Sequence, residues 1–158
     1  TTLIIASVAL IRQWEREIRI KIKPEFRLST IIVHGSCKKP SWDELRRHDI
    51  ALTTYGTLAS EFKRFERWKE GGQKYCRDDL HKVFPLVSPK SLFHRVILDE
   101  AQFIKNRNAL SARACVNLKA NYRLCLTGTP MMNEYTELYS VIRFLRIRPY
   151  NEWSRFER

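Results

Sequence analysis

An α/β fold with a mainly parallel sheet flanked by helices is the expectation for this 158-residue chain, and three features predict it. Val96-Ile97-Leu98 is an apolar run that stops at the adjacent carboxylates Asp99 and Glu100. A strand buried on both faces delivers acids to the rim of a parallel sheet in this way. Leu124-Cys125-Leu126 is a second apolar run, ending in the small turn Thr127-Gly128-Thr129-Pro130. Helical patterns separate the apolar runs, and strands alternating with helices of about 10 to 15 residues indicate βαβ units. Right-handed crossovers then gather Ser7, Thr54, Asp99 and Thr127 on one rim.

Taken in order, Thr2 to Val8 is β-favouring and apolar, a buried strand. Leu10, Ile11, Trp14 and Ile18 fall at helical spacing, with Arg12, Arg16 and Arg19 on other faces and Pro24 closing the segment. Trp14 lies on the apolar face and reads as a core residue. Thr30 to Val33 is a short strand that ends in a turn at His34-Gly35. Ser41-Trp42-Asp43-Glu44 has capping-box spacing and starts a short helix to about Arg47. Ile50 to Thr53 is a third strand, with Thr54-Tyr55-Gly56 at its end. Thr57 to Glu70 is a charged helix carrying Phe62, Phe65 and Trp68, stopped by Gly71-Gly72. Its aromatics suit either a basic face turned to nucleic acid or contacts with the domain or with a neighbour outside the chain. The stretch to Arg95, with Pro85 and Pro89, reads as a connection holding a short helix at Asp79 to Val83. Lys105 to Asn108 form a polar turn before a helix from Ala109 to Leu118, and Tyr122 to Leu126 is the last strand. Tyr135, Leu138, Ile142 and Leu145 mark an amphipathic helix that Pro149 breaks, and Asn151 to Arg158 begins another.

Lys and Arg total 29 against 17 Asp and Glu, a net charge of +12 that favours a polyanionic partner. No apolar run approaches the roughly 20 residues that cross a bilayer, so no membrane partner is expected. The four cysteines, Cys37, Cys76, Cys115 and Cys125, form no C-x-x-C pair and have no paired histidines nearby. A zinc site is therefore not expected, and Cys115 and Cys125 read as small buried residues.

At the rim, Asp99 suits a hydrated divalent cation, because Mg2+ keeps several waters and takes one or two carboxylates. Glu100 suits the orientation or deprotonation of a water that attacks a phosphate. From these residues alone a solvated acidic turn is the alternative. Amides of Ser7, Val8 and Ala9 at the first strand-to-helix turn suit a phosphate, and the hydroxyls of Thr53 and Thr54 a sugar-phosphate backbone. An ordinary β-to-α turn is the alternative there.

Four stretches together resemble the Swi/Snf family of superfamily-two, helicase-like DNA translocases. Leu3 to Trp14 is similar to its motif Ia, Asp49 to Tyr55 to motif Ib, Asp99 to Gln102 to motif II, and Leu126 to Pro130 to motif III. The chain departs from the family at Ser7, where a Pro usually stands, and at Gln102, where relatives commonly carry His. Gln102, Phe103 to Asn106 and Phe144 to Tyr150 lean towards the DNA-repair and SUMO-linked translocase branch.

The resemblance implies that residues 1–158 are a partial RecA-like first ATPase lobe, with the P-loop segment before residue 1 and the second lobe after residue 158. It implies ATP and Mg2+ as cofactors, with Asp99 holding Mg2+ through water and Glu100 as the group that activates water. Gln102, Thr127, Gly128 and Thr129 would couple the nucleotide to DNA contacts at Ser7, Thr53, Thr54 and Tyr55. Double-stranded DNA and nucleosomes are the implied partners, in the nucleus, with chromatin remodelling and DNA repair as the implied processes. None of the five glycines is followed by Lys, so no phosphate-cradling loop lies within the chain. The segment alone is therefore expected not to turn over ATP and, lacking a sheet neighbour, to be marginally stable. Two rivals remain: a non-catalytic DNA- or protein-binding module, and an RNA helicase. Leu126-Thr127-Gly128-Thr129-Pro130 argues against the second, since RNA helicases usually carry Ser-Ala-Thr there.

Overall fold

Five strands, β1 (Thr2–Ala6), β2 (Thr30–Val33), β3 (Ile50–Thr54), β4 (Leu92–Asp99) and β5 (Lys119–Leu126), form one sheet in the order β2-β3-β1-β4-β5. Every pairing is parallel. The computed structural model describes residues 1–35, 39–71, 75–129 and 135–157. Cys37, Gly72, Pro130 and Arg158 lie outside them. The helices are α1 (Val8–Lys21), α2 (Trp42–Leu45), α3 (Tyr55–Lys69), α4 (Leu80–Val83), α5 (Leu110–Asn117), α6 (Tyr135–Leu145) and α7 (Trp153–Phe156). The expected α/β class and alternation are thus present, and the elements differ from expectation mainly in extent. β4 and β5 each run to 8 residues, longer than the apolar runs alone suggest. Helix α1 begins at Val8 because the strand already ends at Ala6, leaving Ser7 as a one-residue turn whose carbonyl accepts from the amides of Leu10 and Ile11. Ser41 caps α2 as its spacing predicts, accepting from the Glu44 amide.

Handedness distributes the helices. The step from β1 to β2 runs one way along the sheet and every later crossover runs the other, so right-handed connections place α1 on one face and α2 to α5 on the opposite one. Helix α6 joins the second group, packing on α5 and β5. On that covered face Leu3, Ile5, Ala51, Val96 and Leu98 are buried among Leu58, Phe62, Phe65, Phe84, Cys115 and Phe144. Phe62 and Phe65 therefore belong to the core, and Trp68 stacks on Phe65 while its Nε1 donates to the Tyr75 carbonyl. The aromatics of α3 face the domain, which excludes them as a surface for bases.

Among the described residues, the other face is covered where α1 lies. Leu52, Ile4, Ile97 and Leu124 are successive partners across the strands, so they form one row on one side of the sheet. Burial decays along it: Leu52 and Ile4 are 0% and 2% exposed, while Leu124 beyond the reach of α1 is 43% exposed and its neighbour Tyr122 58%. Among the described residues, β5 also closes the sheet with an unpaired edge. Apolar side chains beside an open edge favour association between copies. The chain should accordingly show scattering mass that rises with its concentration, and the pair Tyr122→Lys and Leu124→Lys should return it towards monomer. A native chain that stays monomeric at all concentrations contradicts this.

The connection between α4 and β4 packs into the core and is held there by a carboxylate from α3. Phe84, Leu86 and Val87 are buried there, and their backbone is held by Glu61 of α3, whose Oε1 accepts from the amides of Leu86 (2.8 Å) and Val87 (3.3 Å). Glu61 is itself fully buried, and its Oε2 has no partner among the described residues. Burial raises its carboxyl pKa from the ordinary range to about 7, against the lowering effect of the two amides. With the folded pKa above the unfolded one, the folded chain keeps a proton that the unfolded chain releases. This group's contribution to stability is therefore largest below the ordinary carboxylate range and is lost as pH rises through about 7. Between about pH 5 and pH 8 the melting temperature of the native chain should fall relative to that of Glu61→Gln, which cannot ionise. Parallel curves for the two chains would refute the assignment.

Candidate functional site

Parallel pairing sets the site. Ala6 lies opposite Thr54, Ile5 opposite Leu98, and Asp99 opposite Leu126. The ends of β3, β1, β4 and β5 therefore reach one rim at one level, and Ser7, Thr54, Asp99 and Thr127 meet there as the crossover rule predicts.

Asp99 is half-buried and held by two elements. The indole Nε1–H of Trp14, on α1, donates to Asp99 Oδ2 at 2.7 Å. The phenol of Tyr55, at the start of α3, donates to the Asp99 main-chain carbonyl at 2.7 Å, and its ring stacks on Phe103 with centroids 5.2 Å apart. Burial pushes the Tyr55 hydroxyl pKa up, which keeps it protonated as a donor. Trp14 stands outside the buried cluster in which the helical pattern placed it. It lines an open apolar groove with Leu10, Gln13, Glu17, Lys21 and Asp99.

Glu100 follows in the left-handed region, φ 52° and ψ 58°, a conformation that costs a residue bearing a Cβ about 1–2 kcal/mol. The turn is sharp because the next residues must return to the core: Ala101–Ile104 form a 3-10 turn in which Ala101 and Ile104 are fully buried. Within it Gln102 Nε2 donates to Glu100 Oε2 at 2.7 Å. Thr127 Oγ1 in turn donates to Gln102 Oε1 at 2.9 Å, and accepts from the Thr129 amide at 3.1 Å. Glu100, Gln102 and the Thr127-Gly128-Thr129 loop are thus one chain of hydrogen bonds.

The expected DNA-facing residues divide. The Ser7 hydroxyl makes no capping bond, and Val8 behind it is exposed at the start of a 14-residue helix. Thr53 is fully buried, and its hydroxyl donates to the Val33 carbonyl at 2.8 Å. Tyr55 points inward to Asp99. Neither side chain is presented to solvent, which corrects the expectation of a surface contact by them. Thr54 caps α3, its Oγ1 accepting from the Thr57 amide and donating to Thr57 Oγ1. Beside these hydroxyls lies exposed His34, with Nδ1 3.2 Å from Thr57 Oγ1 and 3.4 Å from Thr54 Oγ1. His34 follows β2 at the same rim, a placement that its position after an apolar run already signals.

The donor set suits a hard, hydrated cation. Among the described residues there is no group of three or more His, Cys, Asp or Glu side chains able to hold a metal, so no site built wholly from protein ligands exists there. With Trp14 on Oδ2, Asp99 has no other hydrogen-bond partner for its carboxylate among the described residues. A carboxylate oxygen at an open rim, with no partner among the described residues, is what Mg2+ takes when water and phosphate supply the rest of its shell.

Comparison with known proteins bears on the family and the fold. A family model described as SNF2-related domain matches residues 1–158. A Schizosaccharomyces pombe protein named as an uncharacterized ATP-dependent helicase is 48% identical over 161 residues, which is 100% of this chain and 15% of that protein. The ATP-dependent helicase ULS1 of Saccharomyces cerevisiae is 37% identical across 99% of the chain and 11% of its own length. The DNA repair protein RAD5 of Mycosarcoma maydis is 38% identical across 98% of the chain and likewise 11% of its length. The chain therefore spans roughly an eighth of these relatives. Among solved structures, the Sulfolobus solfataricus SWI2/SNF2 ATPase core in complex with dsDNA superposes with a TM-score of 0.66 at 28% identity, covering 99% of this chain and 27% of that one. The parallel five-stranded sheet and its helices match a RecA-like lobe of that core. With every residue inside the family model and the fold shared with a solved ATPase core, the chain belongs to the SNF2-related domain family of ATPase motors.

Proposed function

We propose that residues 1–158 are the part of a first ATPase lobe that carries the acid pair and its coupling loop, in a nuclear DNA-dependent ATPase that translocates on double-stranded DNA. Nucleosomes and DNA-bound proteins would be its targets, in chromatin remodelling and repair. The observation that carries this reading is the chain from Glu100 through Gln102 to Thr127, because it joins the end of β4 to the loop after β5 at the one rim where strand ends converge.

In this reading Asp99 holds Mg2+ through water. The bound cation would neutralise charge on the phosphates of ATP. Glu100 has one oxygen engaged by Gln102, which fixes the carboxylate plane and leaves the other oxygen to orient and deprotonate the attacking water. Gln102 and Thr127 pass the position of the Thr127-Gly128-Thr129 loop to that carboxylate. The exposed start of α1 at Ser7 and Val8 would meet the DNA backbone through main-chain amides. Support for duplex DNA comes from the charge of +12 and from the structural neighbour, which was solved with dsDNA. The phosphate-cradling loop and a second lobe would come from sequence on either side of this chain, in keeping with relatives several times its length.

ATP hydrolysis by the chain extended through its own flanking coding sequence tests the reading. Turnover should rise with duplex DNA and fall about a hundred-fold or more in Glu100→Gln, while residues 1–158 alone show none. Turnover indifferent to Glu100→Gln would remove Glu100 from the chemistry. A folded extended chain without turnover would favour a binding module, and stimulation by RNA but not duplex DNA an RNA helicase.

A further inference from the structure

Asp99 has two carboxylate oxygens, and the structure commits one of them. Trp14 and Asp99 are 85 residues apart in sequence, yet the indole Nε1 lies 2.7 Å from Oδ2. An indole N–H only donates, does not ionise in the physiological range, and has a direction fixed by the ring. A bond from it to a carboxylate is charge-assisted and sets the carboxylate plane. Trp14 is half-buried and outside the core cluster, so burial does not oblige its N–H to find a protein partner, and water would satisfy it equally well.

We propose that Trp14 is a positioning residue for Asp99, its N–H holding Oδ2 so that the other oxygen faces hydrated Mg2+; this rests on the reading of Asp99 as the cation's carboxylate. Asp99 is then fixed in two parts by two helices. Helix α1 holds the side chain through Trp14, and α3 holds the main chain through Tyr55. Both helices begin at the rim, at Ser7 and Thr54. A displacement of α1 reaches the carboxylate through one rigid helix and one hydrogen bond, without passing through the loop after β5. The Mg2+ requirement is thereby tied to the position of α1, independently of the Gln102 route.

The test uses the extended chain with Trp14→Phe, Tyr55→Phe and Asp99→Asn. Trp14→Phe keeps an aromatic ring and removes only the donor. It should raise the Mg2+ concentration for half-maximal ATP hydrolysis about ten-fold, the size typical of groups that orient a metal ligand, with a smaller effect on the rate at saturating Mg2+. Tyr55→Phe leaves the carboxylate bond intact and should shift the Mg2+ requirement less. Independently of turnover, the Trp14 indole N–H resonance, identified by its loss in Trp14→Phe, should move on addition of Mg2+ in the native chain and stay fixed in Asp99→Asn. Two results overturn the proposal while leaving the role of Asp99 intact. One is an unchanged Mg2+ requirement in Trp14→Phe beside a lost activity in Asp99→Asn. The other is a Trp14 resonance that ignores Mg2+ in the native chain. Asp99→Asn that hydrolyses ATP with native Mg2+ dependence removes the reading on which the proposal stands.

Discussion

All five strands run in one direction, and that constraint decides which residues can meet. Parallel strands cannot be joined by tight hairpins, so each strand end must be followed by a crossover. The strand ends collect on one edge, and α1 and α3 start there, at Ser7 and Thr54. Asp99, the Ser7 turn, the Thr54 cap and the Thr127 loop share a rim for this one reason. A register shift of one residue in β4 would reverse its faces, sending Val96 and Leu98 out of the core and turning Ile97 inward. The packing of Val96 and Leu98 against Leu3, Ile5 and the helices therefore holds Asp99 at its height on the rim.

Much of this arrangement is written in local sequence. An apolar run ending in Asp99-Glu100, another ending in Thr127-Gly128-Thr129, and helical spacing between them suffice for the sheet, its class and its rim. Partners of side chains are written less plainly. Helical periodicity assigns Trp14 to a face, but its acceptor is 85 residues away and belongs to a strand not adjacent in sequence. Tyr55 reads as a rim residue because it follows the hydroxyls of β3, whereas it starts a helix and turns inward to the Asp99 carbonyl. Two other placements had a signal. Adjacent residues of a strand face opposite ways, so Thr53 and Thr54 could not both face one ligand. Glu61 falls on the stripe Leu58, Glu61, Phe62, Phe65, at the three- and four-residue spacing of a buried face. A carboxylate on such a stripe marks backbone amides that the sheet and helices leave unpaired, here those of Leu86 and Val87.

Glu100 shows what the rim asks of its surroundings. A left-handed backbone at a residue with a side chain persists only where neighbours over-determine it. Three neighbours do so: the Tyr55 bond fixes the preceding carbonyl, the burial of Ala101 and Ile104 fixes the following turn, and Gln102 holds the carboxylate. The first two belong to the frame of the domain. The third depends on a loop, and so it is the one that can change.

The chemistry of Gln102 determines how it can change. A neutral amide donates from Nε2 and accepts at Oε1, and here the donor goes to Glu100 and the acceptor takes the Thr127 hydroxyl. A histidine at this place could switch its charge near neutral pH, whereas an amide keeps the same polarity at any pH between the carboxylate and lysine ranges. The link therefore responds to displacement and not to protonation. Thr127 Oγ1 and Gln102 Oε1 stand 2.9 Å apart, and a separation beyond about 3.5 Å ends such a bond. A movement of the loop after β5 by less than the length of a covalent bond is then enough to release Gln102. With its acceptor free, the amide can rotate, and Glu100 loses the donor that sets its plane. The link from β5 to the acid pair is thus short, directional and mechanical. By contrast, Trp14 and Tyr55 hold Asp99 from α1 and α3, so the carboxylate of one acid is set by a helix and that of its neighbour by a loop.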